Sequence, residues 1–168
     1  RTRFIGITGS VGKTTTKDLL AQVLSPRLST VASHLSNNDL YNTGRTLLKV
    51  RPWTDCCIQE VGADGPGSLD AVLELLQPDI AVVTTVGLDH LRAFRTREAV
   101  AEEKRKLVRA VGPAGLAVLN ADDPYVEPMQ ADCSGRVLRF GSGPTADLRI
   151  VATEGRWPQG VAVRVAWQ

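Results

Sequence analysis

Aromatic side chains are scarce, at 5% of the chain, and charge is nearly balanced, with 20 Lys and Arg against 18 Asp and Glu for a net charge of +2. The first shortage removes the stacking platform that single-stranded nucleic acid needs, and the second removes a basic field for phosphate backbones or anionic lipid. No apolar run approaches the roughly 18 residues of a spanning helix, and no signal peptide is recognisable. Neither nucleic acid nor a membrane is expected as a partner. Cysteine is limited to Cys56, Cys57 and Cys133. The count is odd and no zinc-ligand spacing occurs, so these read as buried, reduced thiols of a cytoplasmic protein. The chain opens on Arg1 rather than Met, which is expected of an excerpt from a longer protein.

What is present is an alternation of short apolar runs and helical patterns. Strands are expected at Arg3 to Ile7, Ser29 to Ser33, Asp55 to Val61, Asp79 to Val86 and Gly115 to Asn120. Helices are expected from Lys13 to the stop at Pro26, over Thr46 to Val50, Ser68 to Leu76 and Arg97 to Val111. The Asn-rich stretch Ser36 to Thr43 reads as a loop. Continuously apolar strands alternating with helices predict an α/β fold, a mostly parallel sheet with helices on both faces. From about Arg136 three strand-like runs follow with no helix between them, which predicts a small antiparallel C-terminal extension. One domain over 1–168 is expected, with the core at about 1–133 and the extension at about 134–168.

The densest chemistry lies in "GITGSVGKTTTKD", Gly6 to Asp18. Threonine is a weak helix former, so three of them at a helix start need another reason. A strand, a glycine turn, Lys-Thr and a helix make a phosphate cradle. Backbone N–H groups and the helix N-terminus face the anion. Gly9 and Gly12 admit close approach, Lys13 serves the β/γ-phosphates, and the Thr14 hydroxyl holds Mg²⁺. The fit to G-x-x-x-x-G-K-[ST] is imperfect, because the position five before Gly12 is Ile7 and glycines stand at 6 and 9 instead.

In open parallel sheets ligands bind beyond the carboxyl ends of the strands. Those ends carry Glu60, then Asp89 and His90, then Asn120, Asp122 and Asp123. Each has a plainer reading: a solvated strand end for Glu60, packing for His90, and for "NADD" an N-cap before Pro124. Together, beside a phosphate loop, they form a set that would hold Mg²⁺-nucleotide and a reacting carboxylate.

In order and spacing, "GITGSVGKTTTKD", "IQEVGAD", "PDIAVVTTVGLDHL", an "EEK" helix and "VLNADDPYV" resemble the central ATP-binding domain of the Mur ligases, ATP-dependent amide-forming enzymes of peptidoglycan precursor synthesis. The similarity covers about Phe4 to Val126. It is nearest to the MurF type, which joins D-alanyl-D-alanine to a UDP-linked muramoyl peptide. The resemblance implies ATP binding by Gly9, Ser10, Val11, Gly12, Lys13, Thr14 and Thr15, with Asn120 and Asp122 on the adenine and ribose side. It implies a metal set of Thr14, Glu60, His90 and a carbamylated Lys104, with Lys13, Glu60, His90 and Lys104 catalytic. It also places Asn37 and Asn38 at the acceptor. Carbamylation turns an amine into a two-oxygen anion suited to a hard cation and needs the neutral amine, which nearby Arg105 and Lys106 would favour. Read without the family, Lys104 is a surface lysine on a charged helix face, and Lys106 is an alternative bearer of the carbamate.

The family mechanism is attack of a carboxylate on the γ-phosphate, then displacement of phosphate by an amine. The Asn-rich loop follows the MurF-type pattern only at Asn37 and Asn38, so a folate, cyanophycin or other amino-acid polymer stays open as acceptor. A non-catalytic nucleotide-binding module and a small-molecule kinase are the alternatives outside the class. The family's N- and C-terminal domains are absent from the chain, and alone it is expected to bind nucleotide weakly and not to ligate.

Overall fold

The computed structural model describes every residue except Asp89, His90, Gln159 and Gln168, and of Leu91 only the backbone. Eight strands form one sheet: β1 (Arg3–Thr8), β2 (Thr30–Ala32), β3 (Cys56–Glu60), β4 (Ile80–Val83), β5 (Leu116–Asn120), β6 (Arg136–Gly141), β7 (Leu148–Arg156) and β8 (Gly160–Trp167). Their order is β2-β3-β1-β4-β5-β6-β7-β8. Between them run α1 (Lys13–Leu24), α2 (Leu40–Leu47), α3 (Ser68–Leu75), α4 (Leu91–Phe94) and α5 (Arg97–Arg109), and a 3₁₀ turn spans Glu127–Asp132.

Strand alternation splits the core across the sheet. Ile5, Ile7, Cys56, Ile58 and Val82 pack with Leu20, Ala21 and Leu24 of α1 on one face. On the other, Ala81, Val83, Ala117 and Leu119 pack with Leu69 and Val72 of α3 and Val100, Leu107 and Val108 of α5. Helices therefore cover both faces, as the apolar runs predict.

Two expectations are adjusted. The helix expected at Thr46 to Val50 begins earlier, at Leu40, inside the stretch read as loop. Its start is set by Asp39, whose carboxylate accepts from the Asn42 N–H at 2.8 Å. The polar residues that signalled a loop include a helix cap. Further along, β6 belongs to the parallel core, pairing with β5 from Leu116↔Arg136 to Asn120↔Phe140. β7 continues parallel to β6 through Phe140↔Leu148 and Gly141↔Arg149, and the antiparallel pairing is the β7–β8 hairpin alone.

β1 lies between β3 and β4, so the chain leaves β1 on one side and returns on the other. That reversal opens a crevice at the carboxyl ends, the usual ligand position in such sheets. The register brings the strand tips level: Ile7 pairs with Glu60 and Thr8 with Val83.

Candidate active site

The loop after β1 enters the crevice with two left-handed glycines, Gly9 at φ +146° and Gly12 at φ +88°. At Gly9 an added Cβ would lie 1.9 Å from Thr84 Oγ1, so backbone and hydroxyl meet where no side chain fits. Gly12 is the N-cap of α1 and makes no side-chain cap hydrogen bond. The first-turn N–H groups of a helix have no partner within the helix, and with its positive dipole end they suit an anion. The Lys13 ammonium arches back to the Gly9 carbonyl at 2.8 Å.

The loop is held from β4. Thr84 Oγ1 donates to the Val11 carbonyl at 2.6 Å, the Val11 N–H donates to Thr85 Oγ1 at 3.1 Å, and the Ser10 N–H to the Thr85 carbonyl at 2.9 Å. The Ser10 hydroxyl in turn accepts from the Gly87 N–H at 2.6 Å. Thr84 and Thr85 were not singled out from sequence. The available signal was a pair of threonines ending an otherwise apolar strand.

Glu60 is 1% exposed at the tip of β3. Thr14 donates to its Oε2 at 2.7 Å, and Asn38 Nδ2 donates to its Oε1 at 2.9 Å. Its own N–H donates to Ser33 Oγ at 3.1 Å. Glu60 is thus no solvated strand end: it joins the phosphate loop to the Asn-rich loop. Asn38 is seated against Gly62, where a Cβ would meet Asn38 Oδ1 at 2.6 Å, and the Gly62 N–H donates to the Asn38 carbonyl at 2.9 Å. Asn37 lines a polar pocket of about 200 Å³ together with His34, Asn42, Arg45, Thr46 and Lys49.

Lys104 on α5 is 1% exposed, so it is not the surface lysine that the charged sequence around it indicates. Lys106 is the one that pairs outward, with Asp70 at 2.6 Å and Glu103 at 3.0 Å. The two cations expected to assist Lys104 are themselves neutralised, since Arg105 reaches Asp132 at 3.1 Å. Glu103 accepts from the Gly67 and Leu69 N–H groups at 3.0 and 2.8 Å and so caps α3. His90 and Asp89 lie outside the described residues.

On the β5 side, Asn120 Nδ2 donates to the Thr84 carbonyl at 2.8 Å. Asp122 accepts from Ser142 N–H and Oγ at 2.6 and 2.9 Å and from the Gly143 N–H at 3.1 Å, bonds that hold its carboxyl below the usual carboxylate range. Asp123 caps the following turn through the Tyr125 N–H at 2.9 Å and binds the Val86 N–H at 2.8 Å, so the capping reading holds for that residue.

Among the described residues no group of three His, Cys, Asp or Glu could hold a metal ion. A hydroxyl and one carboxylate nevertheless suit Mg²⁺, which favours oxygen, keeps several waters and takes phosphate oxygens to complete its shell. Among the described residues no helix is long and apolar enough to cross a membrane.

The sequence matches the Mur ligase middle domain over residues 7–160. It is 43% identical over 144 residues to the UDP-N-acetylmuramoyl-tripeptide–D-alanyl-D-alanine ligase of Mycobacterium tuberculosis, covering 86% of this chain and 28% of that protein. The Bacillus subtilis ligase of the same name is 30% identical over 149 residues, 89% of this chain and 32% of that protein. Among solved structures, MurF of Acinetobacter baumannii superposes with a TM-score of 0.85 at 26% identity, over 98% of this chain and 38% of that one. MurF of Thermotoga maritima in complex with ADP gives 0.81 at 25% identity, with the same coverage. The chain thus spans about a third of the relatives it matches. The family match over residues 7–160, with 43% identity across most of the chain, makes this chain a member of the Mur ligase middle-domain family.

Proposed function

We propose that this chain is the ATP-binding core of a MurF-like carboxylate–amine ligase that works through an acyl phosphate. The observation that supports this best is the double grip on Glu60, by Thr14 of the phosphate loop and Asn38 of the acceptor-side loop. A protein that only binds nucleotide has no need to tie its phosphate loop to a second loop through a buried carboxylate. The similar Thermotoga maritima MurF holds ADP, which supports nucleotide as the ligand here.

Gly9 to Thr15 would enclose the phosphates, with the Lys13 ammonium exchanging the Gly9 carbonyl for a phosphate oxygen. Asn120 and Asp122 would border the base and ribose, and Asn37 the acceptor pocket. Thr14 and Glu60 would hold Mg²⁺, with His90 and a carbamylated Lys104 completing the set. Lys104 is 1% exposed on α5, and carbamylation needs its neutral amine. When bound, Mg²⁺ neutralises charge on the transferring phosphoryl group. The substrate carboxylate attacks the γ-phosphorus and ADP leaves. The amine then attacks the acyl carbon, phosphate leaves and a proton passes to water. Lys13 and the loop N–H groups stabilise the charge that builds on the phosphoryl oxygens. Both reacting groups come from substrates, a muramoyl-peptide carboxylate and D-alanyl-D-alanine in the MurF reading, and the reaction belongs to the cytoplasm.

The test is ADP release by the complete protein. It should require both a carboxylate and an amine, and Lys13→Ala should lower kcat/KM by about 10³-fold or more. ADP release with a hydroxyl acceptor and no amine would instead identify a kinase.

A further inference from the structure

One lysine in the opening motif is used by none of these roles. Lys17 lies one helical turn after Lys13 and is 1% exposed. At i+3 from Thr14 and i+4 from Lys13 it occupies the same helix face. Its ammonium donates to the Ser33 carbonyl at 3.0 Å and to the Leu35 carbonyl, and pairs with Asp18 at 3.1 Å. A buried ammonium is costly unless its donors are satisfied, and here two of its partners are carbonyls of one loop.

That loop is the one that reaches Glu60. Ser33 takes the Glu60 N–H on its hydroxyl and gives its own N–H to the Ile58 carbonyl at 2.9 Å. Leu35 sits at φ +51°, a left-handed conformation unusual for leucine, and the residue is 65% exposed. Such an exposed turn gains little from apolar burial, and the left-handed region is strained for a non-glycine residue. Within the loop the Asn37 N–H donates to the His34 carbonyl at 3.2 Å across Leu35, and from outside it the Lys17 ammonium holds the Leu35 carbonyl. Three residues later, Asn38 meets Glu60.

We propose that Lys17 is a positioning residue that locks the 33–38 loop to the helix carrying Lys13 and Thr14. It fixes the distance between the phosphate side of the site and the acceptor side, and orients Asn38 on Glu60 and Asn37 into its pocket. Only the assignment of that pocket to the acceptor rests on the ligase reading; the lock itself does not.

Hydrogen exchange and steady-state kinetics on the complete protein test it. In Lys17→Met the Asn37 and Gly62 amides should exchange about tenfold faster or more, while the core amides of Val61 and Thr84 keep their protection. The KM for the carboxylate acceptor should rise about tenfold, with the KM for ATP changing less than about threefold. Adding Leu35→Gly should recover much of the loop protection, because glycine adopts the left-handed turn without the steric cost. Unchanged exchange at Asn37 and Gly62 in a folded Lys17→Met protein would overturn the proposal, as would equal rises in both KM values. If Lys17→Met does not fold, the unsubstituted protein decides: the lock requires Asn37 and Gly62 to be as protected as Thr16 of α1, and exchange near the free-peptide rate overturns it. If the unsubstituted protein releases no ADP, the ligase reading fails while the exchange result still judges the lock.

Discussion

Gly9 is the tightest point of the site. Its φ of +146° and the 1.9 Å approach of a hypothetical Cβ to Thr84 Oγ1 leave no room for any side chain. Gly9→Ala should displace the loop and cut nucleotide affinity by about a hundredfold or more, on the order of 3 kcal/mol, measured by calorimetric titration with Mg-ADP. At the other extreme of reactivity stands Cys57, fully buried in β3, where burial first and the neighbouring Cys56 second push the thiol up to about 12. Native protein at pH 8 should therefore take up alkylating reagent at half-exposed Cys133 and not at Cys56 or Cys57 until unfolded. Mass spectrometry of the adducts checks it.

Among the elements, α2 owes its start to Asp39, and bonds from the Asn42 N–H and side chain hold that carboxyl below its ordinary range. Asp39→Ala should cost about 1 kcal/mol at neutral pH, read from urea unfolding. The sign of the pH effect follows from the lowered native value: the contribution is fully present above the unfolded carboxylate range, about pH 4, and is lost as pH falls through the depressed value. The β6–β7 turn behaves alike. Asp147 accepts from Arg139 Nη2 at 2.8 Å and from the Arg139 N–H at 2.8 Å, and the guanidinium holds the carboxyl low. Acidification below about pH 4 should loosen residues 141–147 before the core, and Asp147→Asn should remove that step. The amide chemical shift of Arg139, whose N–H donates to Asp147, would follow it.

For the whole molecule, the period of apolar residues and the strand-end positions of Glu60 and Asn120 made the parallel sheet, its two covered faces and the crevice legible in the sequence. The phosphate loop was legible because lysine, threonine and glycine carry their chemistry at fixed short spacing. Other features were not, for reasons that can be named. Lys17 and Thr84 act through contacts 16 and 73 residues away in the chain, which no local pattern encodes. Asp39 looked like one more loop residue because capping and turn-forming side chains are the same types. The antiparallel extension was placed too early because β6, lacking a preceding α-helix, gives no sign of which direction it will pair. The core's shared load is testable at Leu107, fully buried on α5: Leu107→Ala should lose about 2–5 kcal/mol, read as a lower midpoint in urea.

Leu107 also explains the glycine that fits no phosphate-loop spacing. Gly6, on the central strand, has no side chain, and a Cβ there would stand 2.8 Å from Leu107 Cδ1. Its bareness lets α5 settle deep against the sheet, and Lys104 rides on α5 three residues before Leu107. The height at which Lys104 stands over the sheet is thereby set by an atom that is missing from the central strand. Evolution could retune that height by a single methyl at position 6 without altering any group that meets a substrate.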